Sequence, residues 1–84
     1  MERAKIKLSL VSEVLKLAEI SQNKEYDILL RHNSYVVDAT SVLGIMSLDL
    51  SEPVIIDVVS DQNDAKELFE QLRNEGFEIT VKED

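Results

Sequence analysis

Apolar and polar positions alternate at the start of the chain and predict a β-strand. Ile6, Leu8 and Leu10 are separated by lysine or serine, the period of a strand with one buried face. The period then changes to that of a helix, in which apolar residues recur at i, i+3, i+4 and i+7. The residues on this helical face are Val11, Val14, Leu15 and Ala18. The helix is predicted to end near the polar run SQNK.

The middle of the chain predicts a β-hairpin followed by a short helix. Tyr26, Ile28 and Leu30 recur at every second position and predict the first strand of the hairpin. The polar run HNS predicts its turn, and YVVDA predicts the returning strand. The next segment, TSVLGIMSL, predicts a short helix with Thr40 or Ser41 as its N-cap.

The rest of the chain predicts a strand, a long helix and a last strand. Pro53 begins the run PVIIDVVS, whose β-branched residues predict a central strand. The run DQNDAKELFEQLRNEG predicts a helix that stops at Gly76, and FEITVKED predicts the last strand. The apolar faces of these two elements consist of Ala65, Leu68, Phe69 and Leu72 in the helix and Phe77, Ile79 and Val81 in the strand.

The predicted order of elements is β-α-β-β-α-β-α-β, within a single domain that spans residues 1–84. One-sided strands and one-sided helices pack as two layers, with the helices on one face of a mostly antiparallel sheet. The predicted fold class is therefore α+β, an open-faced two-layer sandwich. A ferredoxin-like fold would use similar parts, but it would have to account for the short extra helix at residues 41–48.

Composition and charge exclude several classes of function. The absence of cysteine excludes disulfides, thiolate nucleophiles and cysteine-based zinc sites. The net charge of −8 argues against nucleic-acid binding, which requires clustered Lys and Arg. The carboxylates are dispersed and there is no glycine-rich phosphate loop, so we expect no metal, no cofactor and no enzymatic activity. The basic start of the chain is interrupted by charged residues and has no cleavage site, so we expect a cytoplasmic protein with no membrane association.

The segment DATSVLGIMSLDL resembles the part of the HPr phosphocarrier family that carries the regulatory serine. That pattern is a serine, a hydrophobic pair, glycine, a hydrophobic residue, methionine, serine and leucine. Eight consecutive positions, Ser41 to Leu48, match it in type. The resemblance implies an HPr-like β-α-β-β-α-β-α fold with an additional C-terminal strand. It also implies a bacterial protein of the sugar phosphotransferase system, whose family members relay phosphate on a histidine.

The histidine of that family has no counterpart in this sequence. An ungapped alignment from Ser41 backward puts Leu10 at the position of the histidine, Ser12 at that of the adjacent arginine and Glu13 at that of a proline. Leucine cannot accept a phosphoryl group, so the resemblance predicts that phosphotransfer is lost, as in the catabolite-repression HPr-like proteins. His32, the chain's one histidine, is expected in the hairpin turn as a solvated residue distant from the first helix.

Ser41 and the helix after it are the candidate functional residues. Ser41 has two interpretations, a phosphorylation site for an HPr-type kinase or an N-cap hydroxyl that stabilises the helix. Val42, Leu43 and Met46 are expected to point outward and Ile45 inward, because so short a helix cannot bury every apolar side chain. The predicted partner-binding residues are Val42, Leu43, Met46 and Ser47.

The predicted function is therefore regulatory or adaptor binding, with an HPr-type kinase, a transcription regulator or phosphotransferase-system proteins as partners. Two other classes stay open. One is a true phosphocarrier that uses an unrecognised acceptor, and the other is a structural module, including a homodimer. The additional strand either pairs antiparallel with the first strand and covers the edge of its own sheet, or joins the sheet of a neighbour.

Overall fold

The computed structural model describes residues 2–81 and contains eight elements in the predicted order. The strands are β1 (Glu2–Lys7), β2 (Asp27–His32), β3 (Tyr35–Asp38), β4 (Val54–Val59) and β5 (Glu78–Val81). The helices are α1 (Val11–Gln22), α2 (Val42–Met46) and α3 (Gln62–Asn74). The prediction of an α+β fold with these elements is confirmed.

The five strands form one sheet in the order β3-β2-β4-β1-β5, and every neighbouring pair is antiparallel. The β-branched strand β4 lies at the centre, as predicted. Alternate residues of the three inner strands are buried on one face, where the helices pack. These buried residues include Ala4, Ile6, Ile28, Leu30, Val54, Ile56 and Val58. Within the described part of the chain the opposite face carries no helix, so the open-faced sandwich is also confirmed.

Strand β5 pairs with β1 inside the same chain. Ala4 lies opposite Val81, and Lys7 lies opposite Glu78. Gly76 makes the turn into this strand with a φ of 95°, a left-handed conformation that glycine adopts without steric cost. Strand β5 therefore covers the edge of β1 in its own sheet, which is the first of the two predicted arrangements.

Two sequence-based expectations about the first helix are wrong. Leu10 does not continue β1, which ends at Lys7, and it lies instead at the N-cap of α1. Val11 and Leu15 are exposed, although they were expected on the buried face. The apolar residues of α1 fit two overlapping stripes, and packing on the sheet selects the stripe containing Val14 and Leu17. The excess of apolar residues is left facing outward.

Candidate functional site

Helix α1 begins with a leucine where a capping side chain would normally stand. The side chain of Leu10 is 63% exposed and offers no hydrogen-bond acceptor to the first turn. The cap comes instead from Glu13, whose Oε1 accepts the Ser9 N–H at 2.8 Å and the Leu10 N–H at 3.0 Å. This is half of a capping box, and it places a carboxylate at the positive end of the helix. Ser12 is exposed in the same turn and supplies no cation.

Ser41, and not Thr40, caps helix α2. Its Oγ accepts the Gly44 N–H at 3.0 Å, while Thr40 donates to the carboxylate of Asp38 at 2.7 Å. A Cβ at Gly44 would lie 3.2 Å from Ser41 Oγ and 3.4 Å from Val37 Cβ. Glycine therefore lets α2 lie close to both its cap and strand β3. The Ser41 side chain is exposed.

The outward residues of α2 agree with the prediction except at one position. Leu43 is 84% exposed and Met46 is 47% exposed, while Ile45 is fully buried. Val42 was expected to point outward, but it is half-buried and packs against the hydrophobic core. The exposed Ser47 donates its hydroxyl to the Gly44 carbonyl at 2.6 Å, so this side chain closes the last turn of the helix.

Exposed apolar residues of α1 and α2 meet at a groove between the two helices. A groove of about 420 Å³ between the helices is lined by Leu10, Val11 and Met46. Leu15 lies one turn beyond Val11 on the same side of α1. We call these four residues together with Leu43 the α1–α2 surface. The α1 half of this surface was not predicted from the sequence. A signal was present, because α1 has apolar residues around more of its circumference than a single buried face requires, which is typical of a helix with a second contact.

His32 was expected in the hairpin turn, but it does not lie there. It is the last residue of β2, its side chain is only 13% exposed, and its Nε2 is 3.5 Å from Glu52 Oε1. Strands β1 and β2 both run antiparallel to β4, so His32 lies at the same end of the sheet as the start of α1. That position also differs from the expectation, because the periodicity of a single strand does not show which strands are neighbours in the sheet.

The segment between α2 and β4 carries two acidic side chains, Asp49 and Glu52, on the same end of the sheet as His32. Hydrogen bonds from the Ser51 hydroxyl and N–H lower the pKa of Asp49, and the charges of His32 and Lys7 lower it further. The Lys7 ammonium donates to the Leu50 and Ser51 carbonyls at 3.1 and 2.8 Å. These contacts fix the segment between α2 and β4 across this end of the sheet. A phosphoryl group on the Nε2 atom of His32 would meet the carboxylate of Glu52.

Two further observations concern residues 2–81. Nowhere in that range do three or more His, Asp or Glu side chains come together in a way that could hold a metal ion. None of the helices formed by those residues combines the length and apolarity needed to cross a bilayer.

Comparison with known proteins assigns the family. Among curated proteins, no significant match to the chain was found. A family model described as the PTS HPr component phosphorylation site matches residues 14–75, which is well over half of the chain. The matched range includes Ser41, Leu43 and Met46 and begins just after Leu10 and Glu13. With its three helices on an open antiparallel sheet, the chain belongs to the HPr family of phosphocarrier-type proteins of the phosphotransferase system.

Proposed function

We propose that this HPr-family protein has lost phosphohistidine transfer and acts as a regulatory or adaptor protein. It binds protein partners through the α1–α2 surface, and phosphorylation of Ser41 switches that binding. The observation that carries the proposal is the exposure of Leu43 and Leu10 at one surface of a small domain. The proposal implies a bacterial, cytoplasmic protein whose partners are an HPr-type kinase, a transcription regulator or other phosphotransferase-system proteins.

The start of α1 supports the loss of phosphotransfer. Leu10 occupies the N-cap of α1, and an ungapped alignment from Ser41 backward puts this residue at the position of the family histidine. The neighbouring N–H groups of Ser9 and Leu10 already bind the carboxylate of Glu13. A phosphate at this end of the helix would be repelled by that carboxylate and would find no arginine at position 12.

The exposure of the α1–α2 surface supports partner binding. Single exposed apolar side chains scattered over a protein surface are normal, but a continuous group of them commonly marks a contact with another molecule. Leu43 protrudes most, and Met46 is flexible and polarisable, which suits a surface that binds more than one partner. Leu10 extends this apolar surface to the position at which family members carry the charged phosphohistidine.

The position of Ser41 supports a switch. Its hydroxyl is exposed at the margin of the α1–α2 surface, two residues before Leu43. Phosphorylation would add a charge of about −1.5 to −2 at this margin. A partner that buries Leu43 in an apolar pocket would then have to accommodate a dianion beside it, whereas a partner with an arginine there would gain affinity.

The first test is the intact mass of the protein after incubation with an HPr-type serine kinase and ATP. We expect one acid-stable phosphate, which is absent from Ser41→Ala. Ser47→Ala, which removes the other exposed hydroxyl of the motif, serves as the matched control and should still be phosphorylated. Absence of phosphate from the unaltered protein would leave Ser41 as a helix cap only.

The second test measures docking. Leu43→Glu should weaken binding of the HPr-type kinase, measured by isothermal titration calorimetry, by at least about thirtyfold, the loss of a central apolar contact. Val36→Glu is the matched control, because Val36 is 45% exposed and lies on the opposite face of the sheet. If Leu43→Glu binds as tightly as Val36→Glu, the docking surface lies elsewhere.

The location of His32 favours one alternative function. His32 lies at the same end of the sheet as the start of α1, so a phosphocarrier that uses this histidine is the second candidate. Incubation with enzyme I and phosphoenolpyruvate would then add an acid-labile phosphate that His32→Ala abolishes. We expect no such phosphate, because Glu52 Oε1 lies 3.5 Å from the ring Nε2 and little of the His32 side chain is exposed.

A further inference from the structure

The open face of the sheet contains a buried carboxylate. Asp57, on the central strand β4, is 0% exposed although it points away from the hydrophobic core. An isolated carboxylate in such a place would be strongly destabilising. Two arginines compensate it, with Arg3 Nε 2.8 Å from Oδ1 and with Arg31 Nε and Nη2 each 3.0 Å from Oδ2. The contact with Arg3 is an ion pair whose N–H is not aimed at the oxygen, since Oδ1 accepts no hydrogen bond.

This arrangement fixes the two guanidinium groups on one side of the sheet. Arg31 uses two of its nitrogens on Asp57, whereas Arg3 contacts Asp57 through Nε. About half of the Arg3 side chain and a third of the Arg31 side chain stay exposed, at 51% and 36%. Arginine nitrogens outside these contacts are available to a second acceptor, and the planar guanidinium fork matches a carboxylate.

Every outward position of β1 from Arg3 to Lys7 is basic. Arg3, Lys5 and Lys7 alternate with the buried Ala4 and Ile6, so all three belong to the open face. With Arg31 they make four of the nine Lys and Arg residues in a chain whose net charge is −8. The row from Arg3 to Lys7 is about 13 Å long, since a strand rises about 3.3 Å per residue.

Apolar side chains lie beside this basic row. Leu29 and Ile55 are half-buried on the same face, and Ile55 lies directly opposite Lys5. Within residues 2–81, the acidic residues of this face other than Asp57 are Asp27 at the start of β2, Glu78 at the start of β5 and Asp38 on the edge strand β3, directly opposite Leu29. The open face thus combines a positive row, an apolar strip and a negative margin.

We propose that the open face is a second docking surface, which binds an acidic segment of a protein partner. Carboxylates of that segment pair with Lys5, Arg3 and Arg31, and its apolar side chains pack on Leu29 and Ile55. The basic row is longer than one small anion, and the apolar strip would serve no purpose for inorganic phosphate. We favour a protein segment over nucleic acid, because a phosphate backbone requires a denser cluster of Lys and Arg than the four basic residues of this face provide.

The surface is independent of the proposed regulatory one. It lies on the face of the sheet opposite the helices, so a partner bound to Leu43 and Met46 leaves it accessible. The protein would then hold two partners at once, one on each side, which is the geometry of an adaptor. Loss of either activity in a variant need not affect the other.

The test titrates a peptide of six glutamates with blocked termini into the ¹⁵N-labelled protein at low ionic strength. Binding is monitored by the amide chemical shifts of the protein. We expect shifts at the amides of Lys5, Arg31 and Ile55, with α1 and α2 unaffected. Lys5→Glu should weaken binding about fivefold or more, since it replaces an attractive ion pair with a repulsive one. Lys5 forms no ion pair within residues 2–81, so this variant keeps the fold.

Lys66→Glu is the matched control, because it makes the same change of charge on the exposed side of α3. It should bind the peptide like the unaltered protein. Equal weakening by both variants would overturn the proposal, because it would show attraction to total charge only. The same shifts with inorganic phosphate at equal concentration would overturn it too, because they would indicate a small-anion site. Arg3→Gln is a second variant. If Arg3→Gln and Lys5→Glu both bind the peptide as tightly as the unaltered protein, the proposal is overturned as well.

Discussion

Glu13 Oε1 accepts a hydrogen bond from the backbone N–H of Leu10 at 3.0 Å. The carboxylate of the third helical residue therefore folds back over the N-cap residue, which directly precedes α1. Leucine cannot return such a bond, because its side chain has no acceptor. The helix is thus stabilised at its start by a charge from within its own first turn. The same contact places a negative group at the helix end to which the family resemblance assigns a phosphate.

The first prediction concerns this contact. Glu13→Ala should lower the free energy of unfolding by about 1 kcal/mol, the usual cost of a lost helix cap. In a domain of this size that corresponds to a melting temperature lower by about 4–8 °C. Glu19→Ala is the control, because this exposed glutamate on the same helix contributes only its backbone carbonyl to a hydrogen bond. Equal melting temperatures for the two variants would show that Glu13 is not a cap.

The order and type of the elements could be predicted because each has its own apolar period. The period of two around Ile28 and the period of 3.6 around Leu68 do not depend on what the elements pack against. The same is true of the stop at Gly76, whose positive φ is a local requirement. The central position of β4 followed from its β-branched residues, which suit a strand with neighbours on both sides.

The functional surface could be predicted only in part, because it depends on contacts between distant segments. Leu43 was identified from its place in a short predicted helix, residues 41–48, that cannot bury all of its apolar side chains. Leu10 and Leu15 were assigned to buried faces, since a local pattern does not show which of two apolar stripes meets the sheet. The position of His32 depends on the strand order. Strands β1 and β2 flank β4 and are parallel to each other, so both end at the same edge of the sheet.

The second prediction separates the structural role of Ser41 from any regulatory one. Ser41→Ala should lower the free energy of unfolding by about 1 kcal/mol, because the Gly44 N–H loses its acceptor. Ser47→Ala should change stability by less than about 0.5 kcal/mol, since its hydroxyl donates to a carbonyl that solvent can reach. Urea unfolding of both variants provides the comparison. A Ser41→Ala variant as stable as the unaltered protein would remove the capping interpretation.

The third prediction contrasts two neighbours on α2. Leu43→Glu should alter the free energy of unfolding by less than about 0.5 kcal/mol, because this side chain is almost entirely in solvent. Ile45→Ala should cost about 2–5 kcal/mol, the range for truncating a fully buried aliphatic side chain. If Leu43→Glu proved as destabilising as Ile45→Ala, Leu43 would be a core residue and its role in docking would have to be abandoned.

The fourth prediction concerns pH. Hydrogen bonds from Ser51 hold the pKa of Asp49 below its ordinary value, so the charged form is favoured in the folded protein. The contribution to stability is complete above the pKa of the unfolded chain and is lost as pH falls through the lower pKa of the folded state. Ser51→Ala should raise the Asp49 pKa, measured by the carboxyl ¹³C shift of this residue in an acid titration.

Ser47→Ala is the control for that titration, because its hydroxyl contacts the Gly44 carbonyl and not Asp49. It should leave the Asp49 pKa unchanged. An Asp49 pKa that does not respond to Ser51→Ala would mean that the lowering comes from the backbone N–H of residue 51, which alanine keeps, or from the charges of His32 and Lys7, and not from the Ser51 hydroxyl.

The fifth prediction concerns Asp57 and its two arginines, whose contributions to stability should not add. Arg3→Gln or Arg31→Gln alone leaves one cation on the buried carboxylate and should cost about 1 kcal/mol. The double variant leaves the carboxylate buried without a cation, so it should cost about 3–5 kcal/mol in urea unfolding at neutral pH. Lys5→Gln is the control and should have almost no effect.

The expected coupling energy is the difference between the double variant and the sum of the single variants, about 1–3 kcal/mol. It should shrink when Asp57 is replaced by Asn, because a neutral side chain no longer needs either cation. Strict additivity in the Asp57 background would mean that each arginine acts alone, without a shared buried carboxylate to hold the two together. The guanidinium groups would then lack the fixed geometry on which the proposed binding of an acidic segment depends.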